Sequence, residues 1–218
     1  MVPQAVKMAE NAFKRYRTRN PFEIIEARNI LLKGYDRPES LLGFFTVINR
    51  KQVIGINNAA DDVQRLTGAI HELGHSLNDY KLAVSGNRFE DFWFFTMSCA
   101  PAEFNANLTG ADLFIEDECI LDRIYYEQYS RLNEYVRNHI GRFNAERDRV
   151  RFKEEQLLDF YSNFQDIPSY GQLAAELGVD AGVVRFKFRA LGYKGYELPN
   201  LPETQSDFLK NWQERSSL

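Results

Sequence analysis

Apolar residues at Val63, Leu66, Ile70, Leu73 and Leu77 recur at the helical period and predict an amphipathic helix from Ala60 to about Asn78. Upstream, the pattern changes to short β-branched and aromatic runs. Leu42 to Ile48 and Gln52 to Ile56, divided by the polar Asn49-Arg50-Lys51, predict a β-hairpin, and Ile30 to Lys33 a further short strand. Asn57 and Asn58 close the second hairpin strand and are placed to cap the helix that follows. Two helices are expected earlier still, over residues 4–17 and 21–28, the second with Asn20 as its cap and Pro21 at its first position.

Beyond the central helix, residues 81–100 read as irregular and aromatic, with Phe89, Phe92, Trp93, Phe94 and Phe95 crowded together. A helix is expected from Pro101. A long amphipathic helix from Asp117 to about Phe143 has Ile120, Leu121, Ile124, Leu132, Tyr135, Val136 and Ile140 as its inner side and its charges on a solvated face. Two shorter helical patterns between Leu157 and Tyr193 flank Gly178, and a polar tail follows Pro199. No internal repeat or low-complexity tract breaks this order.

The 218 residues allow one good core, or one core with a small appended module. With 44% hydrophobic and 27% charged residues the composition is that of a soluble globular protein, and no apolar run approaches the length of a membrane span. The start of the chain reads as an amphipathic helix without a signal core, so a cytoplasmic location is expected. A net charge of -4 offers no global attraction to nucleic acid or anionic lipid. Cys99 and Cys119 lack the spacing of a metal-type pair and are expected to be reduced and buried.

The central helix carries His71-Glu72-Leu73-Gly74-His75. Residues four apart share a helix face, so His71 and His75 can share a tetrahedral metal such as zinc. Glu72 is next to that face, where a carboxylate can hold and deprotonate a metal-bound water as general base. With three histidines in the chain, chance places this spacing in roughly one such sequence in three hundred, which makes the motif specific. The stripe of Ile70 and Leu73 puts both histidines at the rim of the core.

A catalytic zinc needs a third protein ligand and a free fourth position. Glu103, Glu90, Asp79 and Asp112 are the candidates, and Glu103 leads because it opens a helical stretch and is followed at four residues by Asn107. An amide there can hydrogen-bond a ligating histidine from behind. For a proton donor or oxyanion stabiliser, His139, Tyr80, Tyr125, Tyr126 and Tyr129 stay open.

The segments PFEIIEA, LLGFFTVINRKQVIGIN, QRLTGAIHELGHSLN, EFNANLTGADLFI and AAELGVDAGVVRFKFRALGYKGY, in this order, resemble the ImmA/IrrE-type zinc metallopeptidases of bacterial mobile elements, phages and stress-response systems. The resemblance implies zinc held by His71, His75 and Glu103, with Glu72 as the base. It also implies an α+β, zincin-like fold in which a small β-sheet packs on the active-site helix, followed by a mostly helical C-terminal part with a helix-turn-helix-like module. The corresponding domains are residues 1–155 for the peptidase, 156–198 for the module and 199–218 for the tail. By the same resemblance, the substrate is a cognate helix-turn-helix repressor, cleaved to relieve repression of a mobile element, phage or stress regulon. Where family members commonly carry a phenylalanine and paired alanines, this chain has Leu108-Thr109-Gly110-Ala111; Gly110 costs about 1 kcal/mol of helix stability relative to alanine, which points to close packing or a bend.

Ala174, Gly178 and Val184 have the offsets of a helix-turn-helix, and the second helix carries Arg185, Lys187 and Arg189. Such a helix can enter a major groove. The acidic chain and Asp180 favour the other reading, in which Phe186, Phe188 and Leu191 are buried, the basic residues are solvated, and the module docks a protein. The competing function is a DNA- or protein-binding regulator with a structural or vestigial zinc site. A peptide substrate would bind by strand addition along an edge of the 42–56 hairpin.

Overall fold

The computed structural model describes residues 2–36, 42–85, 89–91, 100–126, 168–196, 198 and 201. Two compact units divide the chain, Met1–Glu116 with Tyr170–Asn200, and Asp117–Ser169 with Leu201–Leu218. Described elements of the first unit are α1 (Gln4–Tyr16), α2 (Pro21–Ala27), β1 (Leu31–Tyr35), β2 (Gly43–Ile48), β3 (Lys51–Asn57), α3 (Asp62–Asn78), α4 (Tyr80–Val84), β4 (Phe89–Asp91) and α5 (Pro101–Phe114). In the second unit, α6 (Asp117–Leu121) runs into a π-helical turn, Asp122–Tyr126, with Ile120 and Ile124 buried. The long helix expected from Asp117 is therefore α-helical for one turn and then rewinds, and its remainder to Phe143 lies outside the described residues. The first unit also holds α7 (Tyr170–Leu177) and α8 (Ala181–Tyr193). Among the described residues no helix is long and apolar enough to cross a membrane.

The class is α+β, with a small sheet and a mostly helical remainder. The hairpin forms as its pattern predicts: β2 and β3 pair antiparallel from Gly43 opposite Ile56 to Ile48 opposite Lys51. Its turn residues Asn49 and Arg50 have φ of 51° and 63°, the conformation of a tight hairpin turn whose twist matches the strands. β1 pairs parallel with β3, β4 pairs antiparallel with β2, and the order is β1-β3-β2-β4. The hairpin strands are thus interior in the strand order, but β4 covers β2 at Gly43–Phe45 alone, and along Thr46–Ile48 no strand besides β3 pairs with β2 among the described residues. β4 also falls in the stretch expected to be irregular.

Helix α3 starts where a capping box closes its first turn: Asp61 accepts from the Gln64 backbone N–H at 2.8 Å, and the Gln64 side chain accepts from the Asp61 N–H at 3.1 Å. The cap is Asp61, not Asn57 or Asn58; Asn57 instead folds its side chain onto the Ala59 N–H. The helix packs on the sheet through Ala69 and Leu73, in one core with Ile24, Ile25, Phe45, Ile54, Ile56 and Leu113.

Two glycines let α3 and α5 approach closely. A Cβ on Gly74 would collide with the backbone of Ala106, and one on Gly110 would stand 2.5 Å from the carbonyl oxygen of Ile70. Close packing, and not a bend, accounts for Gly110. The contact is bolted by Asn78, which donates to the Gly74 carbonyl at 2.8 Å and to Thr109 Oγ1 at 2.9 Å, while Thr109 donates to the carbonyl of Ala5 on α1.

The helix pair α7 and α8 turns at Gly178, which has φ of 66°. It packs on α5: Phe186 meets Phe104 edge-on at 5.4 Å, and the Asp180 N–H donates to Thr67 Oγ1 on α3 at 3.3 Å. Phe186, Phe188 and Leu191 are buried as expected. Lys187 is not solvated: it is fully buried, and both it and Lys194 donate to Asp112 Oδ1 at 2.7 Å. A lysine can be buried only with such a partner, and the partner lies on a helix remote in sequence. Cys119, also against expectation, is exposed.

Candidate metal centre

His71 and His75 lie on the side of α3 that faces α5, and the collision-free approach at Gly74 brings Glu103, in the first turn of α5, over them. Nε2 of His75 is 3.1 Å from Nε2 of His71 and 3.1 Å from Oε2 of Glu103, and His71 Nε2 is 3.3 Å from the same oxygen. Ligands at about 2.0–2.1 Å from a tetrahedral zinc stand roughly 3.3 Å apart, so the triangle has the dimensions of three zinc ligands. His71, Glu72 and His75 also qualify together as a buried metal-binding group, with a donor atom from each within 4.8 Å of the others. The histidines are buried and not at a rim, because α5 covers the face that the α3 stripe alone leaves open.

The far side of each ring is also engaged. His71 Nδ1 is 2.6 Å from Asn107 Oδ1, and His75 Nδ1 is 2.8 Å from Asp79 Oδ2. With Nδ1–H donating to an oxygen on each ring, both Nε2 atoms carry lone pairs. In neutral rings two lone pairs and an anionic oxygen then converge, and a shared proton or a metal ion can lie among them. A divalent metal fits both the size and the donor set of the triangle.

Protons compete for the same atoms. Burial opposes a charge on His75, but hydrogen bonds to Asp79 and Glu103 outweigh it and raise the pKa above the ordinary 6.5. Burial would raise Glu103, yet the hydrogen bonds from His71 and His75, and their charge, hold its carboxyl far below the ordinary 4.5. Glu103 is partly exposed, with 23% of its side-chain surface accessible, so one side of the triangle reaches the surface.

Of the rival ligands, Asp79 stands behind His75, Asp112 is held by two lysines, and Glu90 lies on β4 in register with Phe44. Asp79, a lesser ligand candidate in the sequence, meets the outer nitrogen of His75. Its signal was present, since His75 and Asp79 are four apart at the end of a helix, the same spacing that joins the two histidines. Tyr80 is partly exposed at the start of α4. Tyr125 and Tyr126 lie on the π turn, and His139 and Tyr129 lie outside the described residues.

No protein-family model matches the chain, and no solved structure does. Over 67 residues the chain is 30% identical to the "Uncharacterized immunity region protein 2" of Bacillus phage phi105, a stretch that covers 31% of this chain and 42% of that protein. The chain thus spans less than half of the relative it matches.

Proposed function

We propose that the protein is a zinc-dependent endopeptidase that cleaves a helix-turn-helix repressor of a phage or related element. The observation that carries the reading is the triangle of His71 Nε2, His75 Nε2 and Glu103 Oε2, which has the size and donor set of a metal site, combined with a carboxylate one residue from the first histidine. A zinc bound there would polarise the scissile carbonyl and acidify water. Glu72, fully buried on α3, takes the proton from the attacking water and passes it to the leaving amine. Asn107 and Asp79 keep the rings facing the same point.

A phage immunity-region protein as a relative supports the regulatory setting. The burial of α8 speaks against the DNA-reading alternative: with Val183, Val184, Phe186, Lys187, Phe188, Ala190 and Leu191 all inside, Arg185 and Arg189 are the basic residues left toward solvent on that helix, and both lie over aromatic rings, Tyr170 and Phe104. The test is incubation of the purified protein with repressors encoded beside its gene, with zinc or with a chelator. Cleavage at one or few bonds that stops with chelator is expected; cleavage indifferent to chelator, or none of any adjacent repressor, contradicts the proposal.

A further inference from the structure

The two histidines of the triangle are backed by partners of different charge. Behind His71 is the amide of Asn107; behind His75 is the carboxylate of Asp79, 7% exposed and 2.8 Å from Nδ1. Asp79 is itself fixed at the junction of α3 and α4. Its N–H donates to the His75 carbonyl at 2.7 Å, and its carbonyl accepts from the Ala83 N–H at 2.9 Å. The side chain thus reaches back one turn to the imidazole edge opposite Nε2, where it cannot ligate a metal held by the triangle but can act on the ring that does.

We propose that Asp79 is a positioning residue of the metal centre, which orients His75 and, through its charge, makes His75 the stronger of the two nitrogen donors. An anionic acceptor at Nδ1–H draws that proton toward itself and leaves more electron density on Nε2; a neutral amide does so less. The carboxylate also adds a negative charge beside a dication in a buried setting, where it is poorly screened. His71 is oriented by Asn107 without that gain. Metal affinity therefore depends on Asp79 more than on Asn107, although both make one hydrogen bond to one ligand.

The inference rests on the metal-centre reading above, and the experiment separates the two. Zinc affinity is measured by competition with a chromophoric chelator for the full chain and for Asp79→Asn, Asp79→Ala and Asn107→Ala, with far-ultraviolet circular dichroism of each metal-free protein as the folding control. Asp79→Asn is nearly isosteric and can still accept the Nδ1 proton, so it isolates the charge. Expected losses of affinity are about 10-fold for Asp79→Asn and up to about 100-fold for Asp79→Ala, with Asn107→Ala weakened less than Asp79→Ala. Cobalt(II) in place of zinc should give visible bands that shift in Asp79→Asn, a change that loss of packing alone does not produce. Asp79→Asn equal to the native chain in zinc affinity and cobalt spectrum overturns this inference and leaves the metal centre standing. A native chain that binds neither metal overturns both.

Discussion

Nε2 of His75 and Oε2 of Glu103 are 28 residues apart in sequence and 3.1 Å apart in space, joined across the closest approach of α3 and α5. The α3 pattern alone places two histidines on a helix face. It is the α5 partner, admitted by Gly74 and Gly110, that turns the face into an enclosed three-atom site. The chemistry proposed here depends on that helix crossing as much as on the motif.

Gly74→Ala tests the crossing. Helix propensity alone predicts a gain of about 1 kcal/mol. The new methyl, however, would meet the backbone of Ala106, which cannot rotate away as a side chain can. A net loss of about 1–3 kcal/mol in urea unfolding is expected, together with weaker metal binding. A stabilised variant would show that the helices separate at little cost.

Glu72→Gln tests the base. The amide keeps the shape and can still hydrogen-bond water, but it cannot accept a proton. Metal content should be unchanged and hydrolysis slower by at least ~100-fold. A variant that cleaves repressor at near the native rate removes Glu72 from the mechanism.

The pH dependence has opposite signs with and without metal. In the metal-free protein the raised His75 pKa contributes stability that is fully present below 6.5 and is lost as pH rises through the higher folded value. The lowered Glu103 pKa contributes stability that is present above 4.5 and is lost as pH falls through its depressed folded value. Zinc requires the Nε2 lone pair of His75, so its stabilisation grows as that proton leaves. Thermal melts should show a larger zinc-induced rise in Tm at about pH 8 than at about pH 5.5, and equal rises at both would exclude proton competition at His75.

Asp112→Ala tests how the C-terminal helix pair is joined to α5. The change removes the carboxylate that Lys187, fully buried, and Lys194 share. Removing one partner of a buried ion pair costs up to about 3–5 kcal/mol, so a clear loss in denaturant unfolding is expected, partly recovered by adding Lys187→Met. A loss within about 0.5 kcal/mol, the range of ordinary surface changes, would mean that the pair does not hold the helices together.

Much of this arrangement was legible in the residues. The α3 period located the helix that carries the HExxH spacing to within two residues at its start, and the polar Asn49-Arg50 between two β-branched runs marked the hairpin turn. Asn107, four residues beyond Glu103, announced its contact with His71. What was not legible depends on partners far away in the chain. The parallel pairing of β1, the three-residue β4 within an aromatic stretch and the burial of Lys187 against Asp112 are each set by tertiary contacts, to which local periodicity is blind. For Asp79 the spacing was visible, but sequence does not say which ring nitrogen a carboxylate will meet.

Metal stoichiometry tests the central claim most directly. The native chain, dialysed against zinc and then against metal-free buffer, should retain one equivalent by elemental analysis, and Glu103→Ala, left with two histidine ligands, should lose most of it. A native chain that retains no zinc, or a Glu103→Ala protein that holds it as tightly as the native one, would contradict the assignment of His71, His75 and Glu103 as a metal centre.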